Sequence, residues 1–488
     1  MTIQVFLSTL GGGFYKIEVE STWTIGDLRE KAREVLGRSV QKLISDGIIL
    51  RPLSGLLGES TIRQSSVIQV VMGNSLRIYS SDWAFAAVKT DGRVVTWGDA
   101  NGGGDSESVK EKLADVQDIC STEKAFAAVK VDGSVVTWGD ANGGGDSEEV
   151  QDQLTDIQCI YSTRYAFAAV KLGGSVVTWG VAERGGNSKE VQHQLSGIQH
   201  IYSNKVAFAA VKLDRSVVTW GDAYAGGNSE AVQDQLVDIR AIYSTGRAFA
   251  AVKVDGSVVT WGDKIRGDES AKVQDQLANT QRIFTTGGAF AAVNVDGSVV
   301  TWGHAEYGGD SRAVQSQLHD INCIYSTEGS FAALQATGSI VTWGWSGSGG
   351  DSDAVQDQLQ NIQQVFSTES AFAALKADGS IVTWGFAGWG GNSEAVQEKL
   401  ADIQYIYSTR CAFAALKSSG SVVTWGLAPR GGCSEAVQDR LEGIQHIFSN
   451  GVAFAAMKAD DSIVTWGAAA CGGNSEAVQR ELVDMQHI

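Results

Sequence analysis

The side chains that could do chemistry do not form a recurring set. No Ser/His/Asp or Cys/His combination repeats, and the six cysteines include no C-x-x-C pair. Asp99, Asn101 and Asp105 could offer oxygen ligands to Ca²⁺, but Val181 breaks the same pattern two copies later, so we interpret them as turn and capping residues. The histidines do not recur in every copy, and they stand at His193, His200, His304, His319, His446 and His487. The sequence therefore predicts a non-enzymatic protein without a metal or a cofactor.

A repeat of 41 residues supplies the elements that position every side chain of the larger part of the chain. A Thr-Trp-Gly step recurs without insertion or deletion, which is typical of an array of identical supersecondary units. Ten copies run from about Leu76 to Ile488, and Met485–Ile488 would begin an eleventh. The tryptophans of the step are Trp97, Trp138, Trp179, Trp220, Trp261, Trp302, Trp343, Trp384, Trp425 and Trp466.

Each copy reads as three short antiparallel strands followed by a short helix. The first strand has an apolar-aromatic-hydroxyl pattern, the second is Ala-Phe-Ala-Ala, and the third is Val-Val-Thr-Trp-Gly. An Asp-Gly pair between the second and third strands, as at Asp91-Gly92, predicts a hairpin. Ser, or the Asp or Asn before it, would cap the helix. One unit cannot bury its Phe and Trp alone, so neighbouring units must stack.

Repeats show their function where the copies differ, and two windows vary here. One window precedes the Phe strand and holds Trp83, Lys124, Tyr165 and Arg247. The other follows Trp-Gly, where in copies six to eight it is aromatic. If the units stack in register, these aromatic residues lie on one face as a protein-binding hot spot, although drift in unconstrained turns is the alternative. The candidate partner-binding residues are His304, Tyr307, Trp345, Phe386 and Trp389, with Leu427 and Arg430 beyond.

Residues 1–73 predict a separate small domain with a β-β-α-β-β order. Ile3–Leu7 and Tyr15–Glu20 alternate like strands, and a helix would span Ile25–Leu36. This order and the stretch Gln41–Gly47 resemble ubiquitin, which implies a β-grasp fold with an exposed apolar patch for partners. By position the patch maps to Leu10, Ile44 and Val71. Met72-Gly73-Asn74-Ser75 runs on into the repeats, so the resemblance implies a docking module and not a conjugated modifier. Alternatively, the patch only packs against the first repeat.

The Asp-Gly-Ser-Val-Val-Thr-Trp-Gly stretch, preceded by Phe-Ala-Ala-Val-Lys, resembles the regulator-of-chromosome-condensation repeat family. The short unit is most similar to the three-stranded blades of the β-lactamase inhibitory protein of that superfamily. The expected fold is mainly β: ten three-stranded units over residues 76–488, as a β-propeller or a propeller-like superhelix, after a small α+β ubiquitin-like domain. Ten units exceed the usual four to eight blades. A single wide ring and an open superhelix both remain open, and the unfinished eleventh copy slightly favours an open array.

Charge and cysteine usage set expectations for partners and compartment. The chain has a net charge of -18, which disfavours nucleic acid and anionic membranes as partners. Its sequence offers no signal peptide or apolar run of membrane-spanning length. The cysteines read as occasional substitutions and not as a disulfide framework. We therefore expect a protein of the cytoplasm, the nucleus or both.

The two resemblances together predict a protein-binding scaffold linked to the ubiquitin pathway. The domain at residues 1–73 would dock to ubiquitin-pathway proteins, and the array at residues 76–488 would bind a client protein that the sequence does not identify. Members of the repeat family include HERC-type ubiquitin ligases, and this chain has no ligase domain, so it could be an adaptor or a fragment of such a ligase. The alternative that the family implies is a guanine-nucleotide exchange factor for a small GTPase. A UV-B sensor role is less consistent with these residues.

Overall fold

The computed structural model describes residues 2–9, 14–20, 28, 31–32, 40–45, 48–49, 67–72, 76–89 and 91–483. Contacts divide the chain into two units. The first holds Met1–Arg77 with Val88–Thr90, and the second holds Ile78–Ala87 with Asp91–Ile488. We call the chain before residue 76 the leader and the repeats from residue 76 onward the ring.

The leader contains one mixed sheet of five strands. Their order in the sheet is β2-β1-β5-β3-β4, and β1 and β5 are parallel, with Phe6 opposite Val67. Leu28, Lys31 and Ala32 of the expected helix are helical, and Leu28 and Ala32 are buried, as the apolar spacing predicts. The strands are β1 (Thr2–Thr9), β2 (Phe14–Glu20), β3 (Val40–Ser45), β4 (Ile48–Ile49) and β5 (Val67–Met72).

The ring consists of ten three-stranded antiparallel sheets, as the repeat predicts. We number them unit 1 to unit 10 and name the strands of each unit inner, middle and outer, in chain order. The inner strands are Arg77–Ser80, Val116–Ser121, Ile157–Ser162, Ile198–Ser203, Ile239–Ser244, Thr280–Thr285, Ile321–Ser326, Ile362–Ser367, Ile403–Ser408 and Ile444–Ser449. The middle strands are Ala84–Val88, Ala125–Lys130, Ala166–Lys171, Ala207–Lys212, Ala248–Lys253, Ala289–Asn294, Ser330–Gln335, Ala371–Lys376, Ala412–Lys417 and Ala453–Lys458. The outer strands are Val94–Gly98, Val135–Gly139, Val176–Gly180, Val217–Gly221, Val258–Gly262, Val299–Gly303, Ile340–Gly344, Ile381–Gly385, Val422–Gly426 and Ile463–Gly467.

Two short helical turns follow each outer strand. The first turns are Ala100–Gly104, Ala141–Gly145, Ala182–Arg184, Ala223–Ala225, Lys264–Asp268, Ala305–Tyr307, Ser346–Ser348, Ala387–Trp389, Ala428–Arg430 and Ala469–Cys471. The second turns are Glu107–Lys112, Glu148–Gln153, Gln192–Gln194, Glu230–Gln235, Glu269–Lys272 with Gln274–Gln276, Gln315–Gln317, Asp353–Gln358, Glu394–Lys399, Glu435–Arg440 and Glu476–Val478, the last running into an α-helical turn at Gln479–Val483.

Of the two caps that the sequence leaves open for the second turn, the serine is wrong and the Asp or Asn before it accepts the first backbone N–H. In unit 2 this turn is a 3₁₀ helix, and the Ser147 side chain makes no capping hydrogen bond. Its hydroxyl instead lies 2.9 Å from the hydroxyl of Thr137 and donates to Gln151 Oε1. The preceding Asp146 accepts a hydrogen bond from the backbone N–H of Glu148. The hydroxyl is therefore used to fasten the turn to the outer strand, while the acidic residue orders the entry to the turn.

The apolar core lies between consecutive units. In unit 3, the Phe167 ring stacks on Trp179 with centroids 5.1 Å apart, and both are buried. Trp179 Nε1 donates a 3.0 Å hydrogen bond to the carbonyl of Gly144 in unit 2. Gly144 has a φ of +96°, and a Cβ there would lie 2.7 Å from the Phe167 ring. Each junction is therefore an interlock between a Phe-Trp pair and the glycine of the preceding unit.

The same interlock joins unit 10 to unit 1. Trp97 Nε1 donates to the carbonyl of Gly472 at 3.2 Å, and a Cβ on Gly472 would lie 2.5 Å from the Phe85 ring. The backbone N–H of Gly451 also donates to the carbonyl of Asp82. The ten sheets therefore close into a ring, the arrangement of a β-propeller, and the open array that the unfinished copy favours is not formed. Met485–Ile488 lie outside the described residues.

Candidate interaction face of the ring

The two variable windows of the repeat meet at one end of every sheet. One window is the loop between the inner and middle strands, and the other is the start of the loop after the outer strand. The backbone N–H of His304 donates to the carbonyl of Gly288, that of Trp345 to Gly329 and that of Phe386 to Ser370, at 2.8–2.9 Å. The same bond occurs at the matching residues of the other units. These loops form one end of the ring, which we call the variable face.

The predicted aromatic residues occupy three consecutive units of this face. His304 and Tyr307 meet edge to face in unit 6, with ring centroids 5.0 Å apart, and Phe386 and Trp389 do so in unit 8 at 5.7 Å. Trp345 of unit 7 is 51% exposed and Phe386 is 49% exposed. We call these five residues the aromatic sector. Half-exposed rings held by their neighbours are well suited to be anchors for a protein partner.

Glycine in the first window makes room for the rings of the second. A Cβ on Gly288 would lie 3.4 Å from the Tyr307 ring, and one on Gly329 would lie 3.3 Å from the Trp345 ring. The same window holds large side chains in other units, at Trp83, Tyr165 and Arg247. Tyr165 lies beneath the Arg184 guanidinium, 5.6 Å from the ring centroid. Several units thus carry their large side chains in one window only, whereas unit 3 has one in each.

The predicted leader patch is only partly described. Ile44 lies on β3 and Val71 on β5, which are neighbours in the sheet. The surroundings of their side chains, and Leu10 altogether, lie outside the described residues. The structure therefore leaves this patch as a prediction.

A circle of residues around the centre of the variable face was missed by the sequence reasoning. They share one repeat phase, directly before the first window, and all ten are charged residues or glycines. Nine backbone N–H groups of the circle donate to the carbonyl of the next member at 2.8–3.2 Å. Ten steps of about 4.8 Å, the spacing of hydrogen-bonded strands, give a circle roughly 15 Å across. Its members are Asp82, Glu123, Arg164, Lys205, Gly246, Gly287, Glu328, Glu369, Arg410 and Gly451. A comparison of charge by repeat phase could have found it.

The circle forms the mouth of a central cavity of about 820 Å³. The hydroxyl residue that ends most inner strands lines it, a serine except for Thr285, together with the Thr, Ser or Asn that follows. Ser121 Oγ donates to the carbonyl of Ser80 at 2.7 Å, and Ser162 Oγ donates to the carbonyl of Ser121 at 2.7 Å. The wall near the mouth is therefore polar and cross-linked between units. Such a wall holds the circle in place.

Basic side chains of the circle reach across glycines to acids beyond. Lys205 Nζ lies 2.5 Å from Glu328 Oε1, so its side chain spans the positions of Gly246 and Gly287. Arg410 likewise spans Gly451 to pair with Asp82, and its Nε lies 3.3 Å from Glu369. A Cβ on Gly246 would lie 3.1 Å from the Lys205 side chain. Glycine therefore clears the path of each long cation.

Burial changes the acidity of two carboxyl groups in the circle. Burial raises the pKa of Asp82 above its ordinary value, and Arg410 opposes this shift. Burial also raises the pKa of Glu369, against the opposing charge of Arg410, and the nearby Glu328 adds to the rise. The Glu328 and Glu369 charges therefore lie close enough to repel each other beside the aromatic sector.

Two histidines pair with tyrosines on the inner strands. Tyr161 Oη lies 3.1 Å from His200 Nδ1, and Tyr407 Oη lies 3.2 Å from His446 Nδ1. Burial lowers the pKa of both histidines and raises the pKa of Tyr407 to about 12. Neutral His–Tyr pairs of this kind join neighbouring units and satisfy their polar groups.

Within the described residues, no group of three or more His, Cys, Asp or Glu side chains could hold a metal ion. Asp99 instead accepts a 2.7 Å hydrogen bond from the backbone N–H of Gly102, which is turn chemistry. All six cysteines are free thiols. The helical turns that the structure describes include none with the length and apolar character to cross a membrane.

Comparisons with known proteins give likenesses of fold only. Neither a family model nor a curated protein sequence matches the chain. Among solved structures, the designed protein Ika8 matches 64% of this chain and 96% of its own, at 12% identity and a TM-score of 0.30. Prp20p from Saccharomyces cerevisiae, described for its binding to Gsp1p and histones, matches 47% of this chain and 72% of its own, at 17% identity and a TM-score of 0.29. The ectodomain of the receptor kinase CR4 from Physcomitrella patens matches 54% and 70%, at 11% identity and a TM-score of 0.30. With identities and TM-scores this low, these similarities do not indicate what this chain binds.

Proposed function

We propose that this chain is a non-enzymatic scaffold that binds a client protein through the variable face of its ring. The observation that carries the proposal is the aromatic sector. Residues that differ among otherwise near-identical units converge on one face, and Trp345 and Phe386 there are half exposed. Large aromatic anchors of this kind dominate the free energy of protein interfaces. The invariant part of each unit is used in the interlocks, so only the variable loops remain to choose a partner.

The test compares two double variants. One shortens two side chains on the variable face, and the matched control shortens two at the far ends of the middle strands. Trp345→Ala with Phe386→Ala removes the anchors, whereas Val131→Ala with Leu213→Ala removes side chains that are 72% and 73% exposed elsewhere. A client captured with the wild-type chain is purified, and its Kd is measured by calorimetry. Loss of about 2 kcal/mol or more per anchor is typical of a hot spot, so the first variant should bind at least 30-fold more weakly. Equal Kd values for both variants would reject the proposal.

We further propose that the leader is a ubiquitin-like module that docks the scaffold to ubiquitin-pathway proteins. A five-stranded mixed sheet whose first and last strands pair in parallel supports this proposal. Leu10, Ile44 and Val71 would form the docking patch. The direct test is titration of the full chain with a purified ubiquitin-interacting helix. Ile44→Ala should abolish binding, while Glu18→Gln, an exposed position on β2, should not. Binding that is unchanged by Ile44→Ala, or absent from the wild type, would remove this link.

Nucleotide exchange on a small GTPase remains the alternative for the client. The carboxylates of Glu328 and Glu369 beside the aromatic sector favour a client with a basic surface, which a GTPase could present. This alternative predicts that the wild-type chain accelerates the release of labelled GDP from the captured GTPase, and that the Trp345→Ala/Phe386→Ala variant does not. A client that binds without any change in nucleotide release would leave the scaffold role alone.

A further inference from the structure

The aromatic sector borders a carboxylate that is accessible from outside. The Glu328 carboxylate lies over Gly287, because a Cβ there would lie 2.3 Å from Glu328 Oε1. Gly288, which follows Gly287 in the chain, is covered by the Tyr307 ring. Gly329, which follows Glu328, is covered by the Trp345 ring. The side chain of Glu328 is 45% exposed. A carboxylate therefore lies at the inner ends of two of the rings.

The loops that carry the sector bear only negative charge, and the carboxylates beside them are paired with Lys205 and Arg410 of the circle. Glu306 is exposed on the loop that carries Tyr307, and Glu369 lies close enough to Glu328 for their charges to repel. Among the described residues of the three loops that carry the sector, from 304 to 308, 345 to 349 and 386 to 390, none is Lys or Arg. A partner that complements this surface must bring positive charge together with apolar contact.

Lys205 supplies that positive charge from within the ring. Its Nζ reaches Glu328 from three units away, over two glycines, and its side chain remains 32% exposed. An ion pair this exposed contributes little to stability, typically up to about 1 kcal/mol, so an incoming cation can replace it at small cost. Lys205 therefore acts as an internal stand-in for a ligand group.

We propose that the aromatic sector takes a segment of a partner protein that presents an arginine or lysine, and that this cation replaces Lys205 at Glu328. Neighbouring apolar side chains of the segment would pack on Trp345 and Phe386. An arginine suits the position best, because its planar guanidinium pairs with a carboxylate and stacks on an indole ring. This inference rests on the proposed function and names the chemistry of the partner.

The experiment uses hexa-arginine with a fluorescein label, and hexa-citrulline as the uncharged counterpart, in fluorescence anisotropy at physiological salt. Lys205→Met removes the stand-in and should tighten hexa-arginine binding by roughly 3- to 10-fold, the effect of one freed ion pair at a partly exposed site. Lys253→Met removes the same charge at the far end of a middle strand and should change binding by less than 2-fold, because salt screens distant charges. Hexa-citrulline should bind none of the variants.

A double-mutant cycle then assigns the effect to Glu328. Glu328→Gln should weaken hexa-arginine binding, and Lys205→Met should have no further effect when Glu328 is already Gln. Equal tightening by Lys205→Met and Lys253→Met would show that net charge alone acts, and would overturn the proposal. A Lys205→Met effect that persists beside Glu328→Gln would overturn it as well.

The outcomes for the client separate this inference from the proposed function. If the purified client loses affinity for the Trp345→Ala/Phe386→Ala variant but not for Glu328→Gln, the scaffold role stands and the cationic segment is wrong. If hexa-arginine follows the cycle while the client ignores the aromatic variant, the cation site stands and the proposed client face is wrong.

Discussion

A glycine occupies each interlock because two separate constraints exclude a Cβ atom at this position. At Gly349 the backbone has a φ of +98°, and a Cβ would lie 2.6 Å from the Phe372 ring of the next unit. A side chain would meet left-handed backbone strain and an overfilled junction together. The ring of the next unit can approach this closely only because the position carries no side chain.

We expect Gly349→Ala to lower the free energy of unfolding by about 2–5 kcal/mol, the sum of left-handed strain and overpacking. Gly173→Ala is the matched control, since no atom lies within 4 Å of a Cβ there and its φ is not in the left-handed range. Thermal unfolding followed by circular dichroism checks both. Similar losses of Tm for the two variants would contradict the steric account.

Single residues of the candidate site were predictable to different degrees. The aromatic sector was predictable because His304, Tyr307, Trp345, Phe386 and Trp389 break a repeat, and a break is visible in one sequence. Lys205 and Glu328 were not, because 123 residues separate them and only ring geometry brings them together. The glycines between them look like ordinary loop glycines until the path of the lysine side chain is known.

At the scale of the element, the hairpin between middle and outer strands depends on its aspartate. Asp296 Oδ1 accepts hydrogen bonds from the backbone N–H and the hydroxyl of Ser298, at 2.9 and 2.6 Å. The Ser298 hydroxyl holds the pKa of Asp296 below its ordinary value, with help from the backbone N–H. Five other turns lower the pKa of their aspartate through the same two bonds: Asp132, Asp214, Asp255, Asp378 and Asp460.

These six turns predict a loss of stability in acid. A carboxyl group whose pKa is lower in the folded than in the unfolded state stabilises the fold. This contribution is complete at pH values above the pKa of the unfolded state, which is about 3.9 for Asp. That contribution disappears as the pH falls through the lower folded pKa. We therefore expect Tm to fall as the pH drops below about 4. The six-fold Asp→Ser variant should show a flatter profile, since Ser419 already occupies this position in unit 9. Parallel Tm profiles would exclude the turns as the cause.

The second helical turn shows where element prediction reached its limit. Helix rules leave either the serine or the Asp or Asn before it as the cap of this turn, and they do not decide between the two. In the structure, the hydroxyl of Ser147 bonds to the hydroxyl of Thr137 on the outer strand and donates to Gln151 Oε1. The Gln151 amide then donates to the carbonyl of Val135. The serine hydroxyl therefore bonds to a residue of another element and does not cap its own turn. The sequence around the turn does not show this partner.

At the scale of the whole molecule, ring closure makes the first unit equivalent to the rest. An open array would leave Trp97 without a preceding unit, whereas in the ring its indole N–H donates to Gly472. The exact period predicted identical junctions along the chain but could not predict closure. Closure depends on the small angle between neighbouring units, which accumulates over ten junctions and is not encoded in any one repeat.

A comparison of two tryptophans tests closure in solution. Trp97→Phe and Trp220→Phe each remove one indole donor, at the closing junction and at an internal junction between units 3 and 4. Each leaves a buried glycine carbonyl without its partner, which costs about 1–3 kcal/mol. We expect equal losses in urea-induced unfolding. A loss at Trp220 with none at Trp97 would mean that the ring is open.

The uniformity of the interlock has an evolutionary consequence. Because every unit offers the same glycine to its successor and the same Phe-Trp pair to its predecessor, any unit can follow any other. Gene conversion between copies of the repeated gene segment would exchange the exposed loops and keep both the ten units and every junction. The recognition surface can therefore change one whole loop at a time, while the scaffold of ten units stays under constant selection.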